Sequence, residues 1–160
     1  MAKINAKQKG NRNELECVKL LNEKFGDKMF ARAVSSGAWI GAGNRHRAQT
    51  LTEEQQLAFA SDIICPVDFK FVIEHKAYQD KATIWDFFNE KSDLNTWMKQ
   101  VESDADFVKK SPLLVIKYNQ HKRIVFTKIK PKNFTFIFKD WYCLWFEDLL
   151  NNESKEYFFK

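Results

Sequence analysis

Glu74 and Lys76 stand two residues apart in an otherwise apolar, strand-like run, Phe71-Val72-Ile73-Glu74-His75-Lys76. Side chains of an extended chain alternate between faces, so Phe71, Ile73 and His75 share one face while Val72, Glu74 and Lys76 share the other. The preceding run, residues 61–65, reads as a second strand joined to the first through Pro66-Val67-Asp68-Phe69-Lys70. A hairpin centred near Asp68 sets Asp62 opposite Glu74. Two carboxylates facing each other across a sheet repel. Buried, they take up a proton or hold a cation. Lys76 supplies one positive charge, and a divalent ion would supply the rest. Oxygen donors of this kind suit a hard ion such as Mg²⁺ or Mn²⁺ better than zinc. Such an ion generates hydroxide from bound water and shields a phosphate, while a lysine orients that water or offsets charge in the transition state. The chemistry such a set would suit is phosphodiester hydrolysis.

Several elements must position these groups. A helix is expected over residues 12–25, where Leu15, Val18, Leu21 and Phe25 recur at helical spacing and Gly26 ends the run. Glu14 lies on the stripe 14, 18, 21, 25, which brings a third carboxylate inward. Asn11 with Glu14 three residues on also reads as a capping box, a purely structural reason for that acid. Residues 29–34 form a short strand candidate. Thr52 caps a short helix reaching to residue 59, and Thr83 caps another containing Trp85, Phe87 and Phe88. The strongest helix runs over 93–109, with Leu94, Trp97, Met98, Val101, Ala105 and Val108 on its apolar face. Residues 113–118 and 123–128 pair as a hairpin. The aromatic segments 134–138 and 141–150 add a strand and a short helix, either as extra core or, for part of them, as an interface. This order predicts an α/β domain, a central mixed sheet flanked by helices, spanning residues 1–160. Its core covers about residues 9–130, and 131–160 form an aromatic extension.

The chain has 160 residues, a net charge of +5 and ordinary apolar and charged fractions, which fits one globular domain and a polyanionic partner. Cys17, Cys65 and Cys143 are odd in number and widely spaced, so neither a disulfide framework nor a structural zinc site is expected. A basic, polar start without an apolar stretch, and apolar runs too short to cross a bilayer, predict a cytoplasmic protein with no membrane partner. Lys3, Lys7, Lys9 and Arg12 form a basic arm without acidic residues. The arm is either a solvated terminus or a phosphate contact. Residues 41–47, Gly-rich and carrying Arg45 and Arg47, read as an exposed loop. They lack the ending of a nucleotide-binding P-loop, and contact with a DNA backbone is the preferred use. His46 and His121 are expected at the surface, and His75 opposite to Glu74.

The same residues resemble the PD-(D/E)XK nuclease superfamily, and within it the Holliday-junction resolvases. Lys9-Gly10 with Glu14, then Ala31-Arg32-Ala33-Val34 and Ser36-Gly37 carry the likeness. Ser61-Asp62-Ile63-Ile64 and Ile73-Glu74-His75-Lys76 follow, with weaker matches at Gln100 and residues 113–117. The resemblance implies a restriction-endonuclease-like fold and Mg²⁺ bound by Asp62, Glu74 and the backbone carbonyl of His75. It makes Glu14 the completion of the acidic cluster and sets Lys76 at the attacking water. Arg32 and Ser36 would lie near the scissile phosphate. It further implies a homodimer acting on branched DNA such as a four-way junction. Ser61 stands where the motif usually has proline, and residues 41–60 are long for a resolvase. Two rival readings are a nicking, restriction or repair nuclease of the same superfamily, and a DNA-binding protein that keeps the fold without catalysis.

Overall fold

Twenty residues of regular helix, α1 (Ala6–Phe25), open the chain. In the computed structural model, residues 5–26, 29–34, 46–47 and 49–160 are described. The helix begins well before residue 12: its N-cap is Asn5, whose side chain accepts the Lys7 N–H at 2.9 Å. Asn11 is therefore not a cap, and Lys7, Lys9 and Arg12 sit on helix rather than on a free arm. Cys17, Val18 and Leu21 form its buried face, whereas Leu15, expected on the stripe, is 55% exposed. The expected strand over residues 29–34 shrinks to β1 (Ala31–Arg32). Helix α2 (Glu53–Phe59) carries the anticipated Thr52 cap, with the Gln55 side chain answering it in a capping box.

The second strand, β2 (Ile63–Ile64), pairs antiparallel with β1 in a two-stranded ribbon. The long third strand, β3 (Phe71–Tyr78), belongs instead to the main sheet. The expected hairpin ladder between residues 61–65 and 71–77 is thus corrected. One backbone bond, Asp62 N–H to the Ile73 carbonyl at 3.1 Å, still links the two segments and keeps Asp62 beside β3.

From β3 the chain crosses through α3 (Ile84–Phe88) and α4 (Asp93–Phe107) into β4 (Ser111–Tyr118), which runs parallel to β3 with Phe71 beside Ser111. A parallel pair needs such a crossover. The Ser92 side chain caps α4 by accepting the Asn95 N–H, and Leu94, Met98, Val101 and Ala105 are buried as the periodicity predicts. Then β5 (Arg123–Thr127) returns antiparallel to β4 as the expected hairpin. Beyond it lie β6 (Phe136–Phe138), β7 (Trp141–Trp145), α5 (Phe146–Asn152) and α6 (Lys155–Phe158). The sheet order is β3-β4-β5-β7-β6, so β7 is interior to the sheet and β3 is one of its edges.

Alternation in β3 and β4 divides the interior in two. Phe71, Ile73, Leu113 and Val115 face α1 and α5 in one cluster; Val72, Leu114 and Ile116 face α4 in the other. The segment beyond residue 130 is no appendage to this core. Trp141, Cys143, Leu144, Phe146, Leu149, Phe158 and Phe159 are buried. The Phe158 ring lies 4.9 Å from that of Phe25 and 6.2 Å from that of Phe69. Phe136, Ile137 and Trp145 remain partly exposed, so the aromatic tail divides between core and surface. Among the described residues, no helix is long and apolar enough to cross a membrane. Because Phe158 is fully buried, Phe158→Ala should cost about 3–5 kcal/mol of unfolding free energy in urea titrations. A loss below about 1 kcal/mol would show that the C-terminal turn is dispensable to the core.

Candidate active site

The site forms on the outer edge of β3, where strand pairing stops. Backbone N–H and C=O groups of one residue in a strand point to the same side, so alternate residues of β3 offer theirs to the open edge. Ile73 uses its carbonyl there to accept the Asp62 N–H. His75 uses its N–H to donate to Asp62 Oδ2 at 2.9 Å, and its carbonyl faces the same edge. The Asp62 carboxylate is thereby fastened to the backbone between Glu74 and Lys76. Ser61, in the place of the motif's usual proline, helps hold that position: its buried hydroxyl donates to the Ile63 carbonyl and accepts the Ile63 N–H. Ala33 N–H donates to the Asp62 carbonyl at 2.9 Å, completing the brace from the segment after β1.

Glu74 is 5% exposed and its Oε1 lies 2.5 Å from Lys76 Nζ, the neighbour on its own face. The amide of Gln100, from α4, donates to the same oxygen at 3.3 Å. Burial pushes the Glu74 carboxyl up to about 8, and the nearby charge of Asp62 pushes the same way against the pull of Lys76. For Lys76, burial pulls the amine down, but Glu74, Asp62 and Glu14 together hold it above its ordinary value. The Glu14 carboxyl is raised first by burial and also by Asp62, while Arg32 and Lys76 oppose the rise. Each of these four groups thus sits in the field of others in the set. Glu14, Asp62, Glu74 and Lys76 lie near enough to act on one another's charge, but among the described residues no three acids gather on a single point.

Arg32 joins them in an unforeseen way. Its Nε–H donates to Glu14 Oε2 at 2.6 Å, and its Nη2 donates to Asn11 Oδ1 at 2.6 Å. Asn11 was missed because the pair Asn11 and Glu14 reads as a capping box. Once the helix begins at Ala6, the same three-residue spacing puts both side chains on one face. The imidazole of His75 points away from Glu74 as expected. It is buried, both ring nitrogens lack a hydrogen-bond partner among the described residues, and burial, then Arg123 and Lys76, lower it to about 3. Among the DNA-contact candidates, Lys7, Arg12 and Arg47 are exposed and Lys9 is half-buried, with Arg12 paired to Glu16 at 3.2 Å. Ser36 and Arg45, with most of the 41–47 loop, lie outside the described residues.

The donors can be tested against the ion they imply. Three carboxylates crowd against two cationic side chains, and burial with Asp62 raises the Glu74 carboxyl. A hard cation relieves that repulsion. Among the described residues, no three His, Cys, Asp or Glu side chains converge closely enough to hold an ion unaided. Asp62, Glu74 and the edge-facing carbonyl of His75 are oxygen donors of the type such an ion takes, while Glu14 is engaged by Arg32.

A mixed sheet with helices on both faces, carrying an acid pair and a lysine at the edge of one strand, defines the restriction-endonuclease-like class of nuclease folds. Within that class the chain belongs to the family described as "Phage putative PDDEXK endonuclease", whose model matches residues 5–158. No curated protein and no solved structure matches the chain in the same comparisons.

The raised Glu74 carboxyl has a consequence for stability. The folded state holds that proton more tightly than the unfolded chain, whose carboxyl titrates near 4.5. Stability is therefore full below that value and falls as pH rises towards about 8. In EDTA, the melting temperature should decline over this window, and Glu74→Gln should flatten the decline. Identical profiles for the two proteins would refute a protonated Glu74.

Proposed function

We propose that this chain is a Mg²⁺-dependent DNA endonuclease, with Mn²⁺ able to substitute, acting on branched DNA such as a four-way junction. The observation that carries the reading is the Asp62 carboxylate tied to the His75 N–H between Glu74 and Lys76. Asp62, Glu74 and the His75 carbonyl would hold the ion, which when bound supplies Lewis acidity towards water and a scissile phosphate. Asp62 needs no rearrangement to serve, because its second carboxylate oxygen is already fixed by the backbone. An ion there would hold the Glu74 carboxylate charged against the burial that raises it, and Gln100 donates to its Oε1. The Lys76 ammonium is held charged beside Glu74, so it can orient the attacking water and offset negative charge on the phosphate. Lys7, Lys9, Arg12, Arg32, Ser36, Arg45 and Arg47 would contact the DNA backbone, giving recognition of shape with little reading of bases.

A homodimer belongs to the same reading. Helix α3 exposes Ile84, Trp85 and Phe88 at 68%, 76% and 76%, beside Phe87, whose ring meets Phe136 and Phe138 of β6. Such an apolar patch supports contact with a second copy. Sedimentation should give a dimer for the wild type and a monomer for Trp85→Asp. A wild-type monomer at high concentration would remove the dimer from the proposal.

Cleavage is tested on duplex, single strand, flap and four-way junction in the presence of Mg²⁺. Paired symmetric nicks in the junction are expected, and preference for duplex would favour a nicking or restriction-type enzyme instead. Asp62→Ala and Glu74→Ala should each lower the rate by at least about a thousandfold while DNA binding stays within severalfold of wild type. Binding without any cleavage by the wild type would support a non-catalytic DNA-binding protein.

A further inference from the structure

Arg32 spans a gap between two helical side chains, and the way it is held has a use. Its guanidinium is planar with five N–H donors in a fixed fork. One of them, on Nε, goes to Glu14 Oε2, and one on Nη2 goes to Asn11 Oδ1, both at 2.6 Å. These acceptors come from positions three apart on α1, so a rigid helix face sets both points of attachment. Arg32 itself sits on β1, whose pairing with β2 leads directly into Asp62. The side chain is only a quarter exposed, and Glu14 less. An arginine gripped at two points on one side cannot swing freely, and its remaining N–H donors keep a fixed direction.

We propose that Asn11 and Glu14 form a two-point clamp that aims Arg32 at a phosphodiester oxygen of the bound DNA. Asn11 is thereby a positioning residue of the site. Glu14, on this assignment, acts through Arg32 rather than on the metal. The assignment rests on the nuclease reading above and deepens it, by naming how one of the site's phosphate contacts is oriented.

Three features favour it. The Glu14–Arg32 contact is a short, charge-assisted hydrogen bond in a partly buried setting, the kind that persists. No trio of acidic side chains among the described residues is gathered tightly enough to share an ion, which leaves Glu14 to its cation. The Asn11 amide oxygen, half-buried on α1, has Arg32 as its partner. A side-chain amide spent on a guanidinium fixes orientation without neutralising charge. Arg32 therefore keeps attraction for an anion that a second carboxylate would cancel.

The test uses the full chain and separates ion binding, DNA binding and turnover. Mn²⁺ affinity is measured without DNA by calorimetry for the wild type, Asn11→Ala, Glu14→Gln and Asp62→Ala. The clamp predicts that the first two variants stay within about twofold of wild type, whereas Asp62→Ala weakens binding by about tenfold or more. Steady-state cleavage then gives the split: Asn11→Ala should raise KM about tenfold with kcat kept within severalfold, as expected when a bond to a charged group that binds substrate and transition state alike is lost. Asn11→Gln, which retains a neutral amide acceptor, should restore part of the affinity, whereas Asn11→Asp, which sets a second carboxylate against Arg32, should leave KM raised. Arg32→Ala should lower the salt dependence of DNA binding by about one phosphate contact, a slope change of about 0.9 that Asn11→Ala does not produce.

A Glu14→Gln protein that loses Mn²⁺ as severely as Asp62→Ala would overturn the clamp and return Glu14 to the ion. Unchanged KM in Asn11→Ala would overturn it as well. Should Asp62→Ala bind Mn²⁺ normally, the ion assignment of Asp62 falls, and the KM and salt readouts still decide the clamp.

Discussion

The site depends on an unfinished strand edge. β3 is bonded to β4 along one side, but on the other side, among the described residues, its backbone groups meet only a short approach from residue 62. A complete ladder there would have consumed the His75 N–H and carbonyl in pairing. Instead the N–H anchors the Asp62 carboxylate and the carbonyl is left facing the same space. The two-residue length of β2 is what leaves this edge open. Asp62 approaches β3 as a side chain, not as part of a sheet.

Around that edge the protein tolerates a costly concentration of charge. Buried acids repel and resist desolvation, and unpaired they would destabilise the fold. Compensation comes from several directions at once: Lys76 on the strand, Gln100 from α4, Arg32 from β1 and the backbone itself. The remaining imbalance appears as the raised carboxyl of Glu74, a strain that a divalent ion would relieve. Stability and the proposed chemistry pull against each other at this one residue.

The C-terminal segment shows how the rest of the molecule supports the arrangement. β7 enters between β5 and β6, α5 packs with α1 on one face of the sheet, and Phe159 bridges back to Phe69 just before β3. The Lys70 N–H also donates to the Phe158 carbonyl at 2.7 Å. The C-terminal residues thus pin the entry to the site strand on one side, and the Ser111 N–H, donating to the Lys70 carbonyl at 2.9 Å, pins it on the other. On the opposite face, α4 supplies Gln100 from a helix whose apolar stripe fills the second cluster.

Much of this was legible in the residues alone. Alternation along 71–76 put Glu74 and Lys76 together and sent His75 away, because a strand's period of two is local and independent of partners. Helical periodicity predicted α4, and cap chemistry predicted the starts of α2 and α3, for the same local reason. Leu15 and the start of α1 were misread, since a polar first turn carries no apolar signal and Asn11 offered a plausible cap further on. Residues 131–160 looked like an extension because short aromatic strands show their place only when a sheet exists for them to join. The partner of a strand, the edge at which pairing stops and the hold of Asn11 and Glu14 on Arg32 are decided by long-range contact. Those contacts exist only after the chain has folded, so the acids and the lysine were written in sequence while their meeting point was made by the tertiary structure.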